Sequence, residues 1–449
     1  MCAQYTHLLQ SSHAQADPIP IQFEKMKFNL HNVKSTAGRL ATLSELGHHG
    51  NISMESPGCT LYTRGGSAPN LSLTLLNGIE GVPPVTQIPI PTIVESQEVL
   101  STLDQGVASF SGRPGTITYS CTQDPGQQSR SGYNDKNSVS VWTPAGRERL
   151  TIDRFLSLQE ALQVDWMEAL SDGDTPTGSM SKRIRKSVDR TLVYLDKCLD
   201  AKQSRQNLKD TTILGVIVGG DSLEERNRSV RETVKRPVGG FVLDGFHQGA
   251  MEDRTRWSIM ESVLNEIPED KPRFLPRVGR PDEVIQAVEL GVDIFDSAFP
   301  FEVTERGCAL VFSYHLDHPP SVNDEEVRHT LPASSSMTDT DGGNDWTTQC
   351  GENGEDGGRT MYEIKLSDQR YVEDFSTLVE GCECYCCVNH TKAYINHLIN
   401  VKELLAGVLL MIHNFHHHFK FFQSIRQALQ EGRMQELKEE IRKTSLKIT

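Results

Sequence analysis

Thr212-Ile-Leu-Gly-Val-Ile-Val218, then the charged stretch Asp221 to Lys235, then Val238-Gly-Gly-Phe-Val-Leu243 is the segment on which the fold turns. Each end of it is an apolar run of six or seven residues with no polar alternation, which is the pattern of a strand buried on both faces. The stretch between them reads as an amphipathic helix. Strand, helix, strand in this order specifies two parallel strands joined by a right-handed crossover. The same unit recurs on both sides. Helical Ile152 to Val164 leads to a strand at Asp165 to Leu170, and the helix Lys182 to Ala201 leads to Thr212. Thr255 to Glu266 leads to Pro272 to Val278, and Pro281 to Leu290 leads to Val292 to Phe295. At least five units in succession, with no Gly-x-Gly-x-x-Gly phosphate turn, predict an α/β fold of the TIM-type (β/α)8 barrel class rather than a doubly wound sheet. Chemistry in such a barrel sits at the C-terminal strand ends, here Ser171 and Asp172, Val218 to Gly220, Asp244 and Gly245, Gly279, and Asp296. A single carboxylate on that rim is more often a helix cap or a solvated loop residue than a catalyst, and the three are carried forward on those terms.

Outward from this core the chain divides by composition. Residues 1–25 are polar and aperiodic and read as a disordered tail. From Met26 to about Val94, short β-rich runs (Lys27 to Leu30, Gly58 to Thr63, Val85 to Ile88) alternate with Gly and Pro turn signals and predict an antiparallel opening segment, so 26–317 is taken as barrel plus that opening. Residues 122–138 read as a loop. Residues 318–358, rich in Ser, Asp, Gly and Glu, predict an acidic disordered insertion. Residues 359–432 read as a metal-binding subdomain with a closing helix, and 433–449 as an exposed charged helix carrying Lys438, Arg442, Lys443 and Lys447. A solvated face is the ordinary reading of those cations, and contact with an RNA backbone the sharper one.

The metal reading comes from Cys382-Glu-Cys384-Tyr-Cys386-Cys387, with His413 following after twenty-five further residues inside an apolar run. Thiols at Cys-x-Cys-x-x-Cys spacing converge in a tight turn, and a histidine from a following helix completes a tetrahedron of the Cys₃His kind that Zn²⁺ takes in structural sites. The expected ligands are Cys382, Cys384, Cys387 and His413. Cys386, His390, His397 and His416 to His418 are competing donors. Four protein donors leave no position for water, so one structural Zn²⁺ per chain is expected. The helix bearing His413 is expected to start at Asn400 as cap, with Glu403 as its capping-box partner and Leu404, Leu405, Val408, Leu409 and Ile412 as the apolar stripe.

The 449 residues are 37% hydrophobic and 23% charged, enough for a sizeable core, with a formal net charge of −15. That charge excludes a surface coated for nucleic acid and leaves room for a local basic patch. No apolar signal core follows Met1, and the longest apolar run, Leu404 to Ile412, is too short to span a bilayer. Ten cysteines, four of them in a metal pattern, point to a reducing compartment and hence to the cytoplasm.

A barrel whose late strand ends in Gly291-Val-Asp-Ile-Phe-Asp296, followed by this Cys₃His pattern, resembles the tRNA-guanine transglycosylase family. Val278-Gly-Arg-Pro-Asp282, Asp374-Phe375 and Lys392-Ala-Tyr394 through His397 extend the likeness from about Arg39 onward. The family exchanges guanine for a deazaguanine base, in eukaryotes queuine, at the wobble position of GUN-anticodon tRNAs, those for Asp, Asn, His and Tyr. The resemblance places Asp296 at the nucleophile position. The remaining machinery is eroded: Asp124-Pro-Gly-Gln stands poorly for the proton-shuttling segment, and Ser171 falls on the base-reading aspartate. Val218 falls on the pocket glutamine, and Asp244-Gly-Phe246 on the Gly-Gly-Leu wall. Glu302 and Glu305 stand where the family has two RNA-gripping arginines.

The resemblance therefore implies no catalytic residues in use, Asp296 included. It implies a non-catalytic subunit that pairs with a catalytic homologue as a heterodimer and helps hold tRNA. The pairing is expected through the zinc unit and the stretch Ala406 to Phe422, with Phe415, Phe419, Phe421 and Phe422; core packing is the ordinary reading of those rings and accounts for at least half of them. It also implies a cytoplasmic protein with peripheral association at the mitochondrial outer membrane. Two other readings are an active transglycosylase using Asp296 with Asp172 or Asp244 as acid/base, and a zinc-stabilised RNA-binding scaffold.

Overall fold

The computed structural model describes residues 26–32, 38–47, 50–127, 133–173, 175–247, 249–316 and 362–448. The expected N-terminal tail and the acidic insertion lie outside the described residues. The described residues open with β1 (Lys27–Leu30), β2 (Ala41–Leu46) and β3 (Ile52–Ser56), an antiparallel sheet in that order. Alternation decides which face it buries: Leu43, Leu46 and Met54 share one apolar cluster with Val85, Ile117 and Trp166, so the sheet covers the N-terminal end of the barrel.

The barrel itself runs β4 (Gly58–Cys59), β5 (Leu61–Tyr62), α1 (Leu73–Asn77), β6 (Val85–Pro89), α2 (Gln97–Leu103), α3 (Gly106–Phe110) and β7 (Ile117–Cys121). A hairpin of β8 (Ser138–Thr143) and β9 (Gly146–Thr151) follows. Then come α4 (Ile152–Leu162), β10 (Trp166–Glu168), α5 (Ser181–Ser204), β11 (Thr212–Ile217), α6 (Leu223–Val234), β12 (Gly240–Leu243), α7 (Asp253–Leu264), β13 (Arg273–Leu275), α8 (Pro281–Glu289), β14 (Ile294–Phe295) and α9 (Ala298–Glu305). The sheet order is β4-β14-β13-β12-β11-β10-β7-β6-β5, with every neighbouring pair parallel. Only Thr60 parts β4 from β5; its N–H donates to the Phe295 carbonyl at 2.9 Å, so the two act as one stave that closes the barrel. This is the expected TIM-type architecture. The expected antiparallel opening is corrected in extent: Gly58 to Thr63 and Val85 to Ile88 are parallel staves, and only 27–56 is antiparallel. Two-residue staves carry too little pattern to declare their direction.

Period-two alternation sorts the core. Leu214, Val216 and Val218 point into the lumen, while Ile213 and Ile217 pack outward under the helices. Past the barrel, β15 (Cys308–Leu310) pairs antiparallel with β16 (Glu363–Lys365) across the stretch outside the description. They are followed by α10 (Tyr385–Asn389), α11 (Lys392–Asn400), α12 (Leu405–Glu431) and α13 (Met434–Ile448). The expected capping box is not formed. Asn400 closes α11, and its amide donates to the Asn396 side chain at 2.9 Å. The chain then turns through Lys402 at φ +60°, and α12 begins with Leu404 at its cap position and no side-chain cap bond.

Helix α12 ties the metal unit to the barrel. Phe415, Phe419, Phe421 and Phe422 are all buried, and Phe422 lies 5.6 Å from the Phe295 ring at the end of β14. Each such ring contributes about 1.5–3 kcal/mol of burial. They are core, so the expected docking surface formed by these rings is corrected. Helix α13 is likewise not the exposed tail expected: Met434, Leu437 and Ile441 are buried, and Lys438 pairs with Glu289 on α8 at 2.9 Å.

Candidate functional site

The C-terminal strand ends surround a cavity of about 550 Å³ lined by Gln87, Glu168, Ser171, Asp244, Arg277, Asp296 and Glu302, among others. Each candidate at this mouth is held by identifiable partners. Asp172 is fully buried and receives four donors: Arg183 Nη1 and Nη2 at 2.8 and 2.7 Å, Arg190 Nη1 at 2.9 Å and Asn134 Nδ2 at 2.9 Å. Arg183 and Arg190 are seven residues apart on α5 and so lie on one helix face, one above the other. A carboxylate so saturated has no lone pair left for proton transfer, which removes Asp172 as an acid/base.

Asp296 lies at the tip of β14, 3% exposed. Its Oδ2 accepts the Arg277 N–H at 2.6 Å and its Oδ1 the Ala298 N–H at 2.9 Å, so both oxygens are pinned to main chain. Burial raises its pKa to about 6 against those hydrogen bonds. Glu302, one turn into α9, is raised to about 7 by burial and by the neighbouring Asp296 charge. The mouth thus sets carboxyl against carboxyl where the family pattern has a cation.

Asp244 and Glu168 complete the acidic floor. Glu168 is pushed to about 8 by burial and by Asp244, so it is mostly protonated at neutral pH, and Tyr119 donates its hydroxyl to it at 3.2 Å. Gly173 makes room for the Asp244 side chain: a Cβ there would sit 1.8 Å from Asp244 Oδ2. Arg226 fills the neighbouring wall. It is buried, lies 4.3 Å over the Phe246 ring, and donates to the Gly220, Ile217 and Asp244 carbonyls at 2.9, 2.9 and 2.6 Å. Val218, the position of the family's pocket glutamine, faces the apolar lumen, and its side chain offers no hydrogen bond. Asp124 accepts from Tyr62 Oη at 2.7 Å and from the Gly126 N–H at 3.0 Å.

Sequence reasoning did not single out Glu168 or Arg226. The first was findable, because Glu168 shares the inward parity of Trp166 on an otherwise apolar strand. The second was not, since Arg226 reads as one more cation on a charged helix.

The second centre lies at the far side of α12. Cys382, Cys384, Cys387 and His413 bring their donor atoms within 4.8 Å of one another. The Sγ to Nδ1 distances are 3.8, 3.5 and 3.3 Å. Metal–sulfur and metal–nitrogen bonds of about 2.3 and 2.0 Å at the tetrahedral angle require about 3.5 Å between such donors. The set could therefore hold a metal ion and is consistent with zinc. Local structure presets it: Cys384 caps α10, its sulfur accepting the Cys387 N–H at 3.4 Å. His413 Nε2 donates to the Leu310 carbonyl at 2.8 Å, which leaves Nδ1 facing the thiols. Cys386 stands outside the group, its thiol pushed up by burial, and none of His390, His397 or His416 to His418 joins it.

Comparison with known proteins agrees with this geometry. The family model described as queuine tRNA-ribosyltransferase matches residues 34–447. The queuine tRNA-ribosyltransferase accessory subunit 2 of Xenopus laevis is 48% identical over 420 residues, 93% of this chain and 99% of its own length. Its Homo sapiens counterpart is 46% identical over 92% of this chain and 98% of its own length, and that of Aedes aegypti 31% over 93% and 92%.

Proposed function

This chain belongs to the queuine tRNA-ribosyltransferase family, and from that membership we propose that it is the accessory, non-catalytic member of a heterodimer that exchanges guanine for queuine in tRNA. The observation that carries the reading is the pairing of Glu302 with Asp296 in the mouth. Glu302 stands where the resemblance places an RNA-gripping arginine, and exchanging attraction for repulsion at one such phosphate contact costs about 1 kcal/mol or more. The saturated Asp172 and the Arg226–Phe246 wall support the same conclusion: these side chains maintain the shape of the barrel end, and Asp172 is not free to serve Asp296 as an acid/base partner.

The Cys₃His group is proposed as a structural Zn²⁺ site. The ion would be held by Cys382, Cys384, Cys387 and His413 and would clamp the loop before α10 to α12. The partner surface is proposed beside it, where Phe375, Tyr385, Val388 and Leu404 are 75%, 58%, 67% and 89% exposed. Large apolar side chains this exposed and this close in sequence to a rigid metal knot suit a protein–protein contact. Placement in the cytoplasm, with peripheral association at the mitochondrial outer membrane, is proposed from the family resemblance alone. Among the described residues no helix is long and apolar enough to cross a membrane.

The test is an Asp296→Asn variant assembled with the family's catalytic subunit and assayed for release of labelled guanine from tRNA. The reading expects an exchange rate within about twofold of the wild-type complex. A fall of ~10²-fold or more, the scale of losing an essential nucleophile or acid/base group, would mean that Asp296 performs the chemistry.

A further inference from the structure

The first turns of α5 carry Lys182, Arg183, Arg185 and Lys186 in a chain whose formal net charge is −15. Arg183 is committed to Asp172. Lys182, Arg185 and Lys186 are exposed and, among the described residues, none is paired with a carboxylate. The one acid in the next turn, Asp189, is taken by Arg228 at 2.9 Å. Cations at a helix N-terminus oppose the macrodipole, and this helix has no acidic residue in its first turn and no side-chain cap. The arrangement is unfavourable for the helix itself. The other basic stretch, on α13, contrasts with it, because Lys438 and Lys443 there face Glu289 and Glu440.

The patch has a defined place. Helix α5 starts at the rim of the mouth, following a loop whose Ser171, Thr175 and Thr177 line the cavity. In the closed strand order, β11, β12 and β13 separate β10 from β14 on one side, and β7, β6 and the β4–β5 stave on the other. The end of β10 that leads into α5 is therefore diametrically opposite β14, whose tip carries Asp296. At one edge of the mouth Arg277 and Arg306 share the space with Asp296 and Glu302, while the opposite edge offers three cations with no carboxylate partner among the described residues.

We propose that Lys182, Arg185 and Lys186 form an RNA-backbone contact, so that tRNA held by the heterodimer lies across the α5 shoulder of this subunit and away from the Asp296 side of its mouth. This rests on the accessory-subunit reading and adds the surface and the orientation.

The test measures tRNA-transcript binding to the heterodimer as a function of salt, with Lys182→Glu, Arg185→Glu and Lys186→Glu combined, and separately with all three changed to Gln. Acidic residues at a helix start are favoured, so the reversed variant should fold and still co-purify with its partner. With a salt slope of about 0.9 per phosphate contact, losing three contacts makes the slope shallower by about 2–3. The affinity lost between about 50 and 200 mM salt then shrinks by roughly 40-fold. Lys197→Glu, further along the same helix and also exposed, should leave the slope unchanged. Unchanged affinity and slope in the triple variants, with the complex intact, would overturn this inference alone. Failure of the wild-type chain to form any complex would overturn the accessory reading and this inference with it. Loss of binding to phosphatidylserine–phosphatidylcholine vesicles with tRNA binding intact would assign the patch to a membrane and refute the RNA contact.

Discussion

Asp172→Asn separates a structural mouth from a catalytic one. The native carboxylate neutralises Arg183 and Arg190 and accepts four hydrogen bonds of 2.7–2.9 Å while fully buried. The amide keeps one acceptor oxygen and turns an NH₂ toward guanidinium donors, taking from Arg183 and Arg190 the carboxylate that both donate to. Removing one partner of a buried pair costs about 3–5 kcal/mol. The Arg183 and Arg190 side chains keep 26% and 22% of their exposure, so water recovers part of that, and about 2–4 kcal/mol is the expected loss. Urea unfolding of the purified chain reads it as a lowered midpoint with unchanged slope. Guanine exchange by the heterodimer, measured below that midpoint, should be unaltered. Unchanged stability together with a large fall in exchange would refute the reasoning, because Asp172 would then be acting on the substrate.

Glu168→Gln should flatten the dependence of stability on pH. The folded pKa of about 8 exceeds the ordinary carboxyl value, so the folded state binds more protons between roughly pH 4.5 and 8 and stability from this group falls as pH rises through that window. The variant should gain stability relative to wild type at pH 8 and not at pH 5, read by urea midpoints at both. Cys384→Ala should abolish stoichiometric metal binding and partner capture together, checked by elemental analysis and co-purification. Full metal content with an intact complex would contradict the ligand set. Phe415→Ala, which empties a fully buried site, should cost about 3–5 kcal/mol. Phe375→Ser, at a 75% exposed site, should leave the unfolding midpoint within about 0.5 kcal/mol of wild type while weakening the heterodimer in sedimentation.

Much of the barrel was legible because its later strands, such as Thr212–Ile217 and Gly240–Leu243, are continuous apolar runs between amphipathic helices. The first staves were not, since Gly58–Cys59 and Leu61–Tyr62 gain their identity from partners such as Phe295, more than 230 residues away. Asn400 and Glu403 have the spacing of a capping box, yet the left-handed turn at Lys402 and the Asn396 contact use that stretch to end one helix before the next begins. The convergence of Cys382, Cys384, Cys387 and His413 was readable from spacing, because three ligands sit on one turn and the fourth on one helix. The fate of Asp172 was hidden in tertiary structure. Its carboxylate is visible in the sequence, but the commitment of Arg183 and Arg190 to it is a property of how α5 folds back over the strand end. The four phenylalanines of α12 read equally well as surface or core until the barrel supplied Phe295 and its neighbours to cover them.

The most direct measurement is base exchange by the purified chain with no partner present, following incorporation of labelled guanine into a GUN-anticodon tRNA. The account predicts no incorporation above the no-protein control, and exchange only once the catalytic subunit is added. Sustained multiple turnover by the single chain would contradict it.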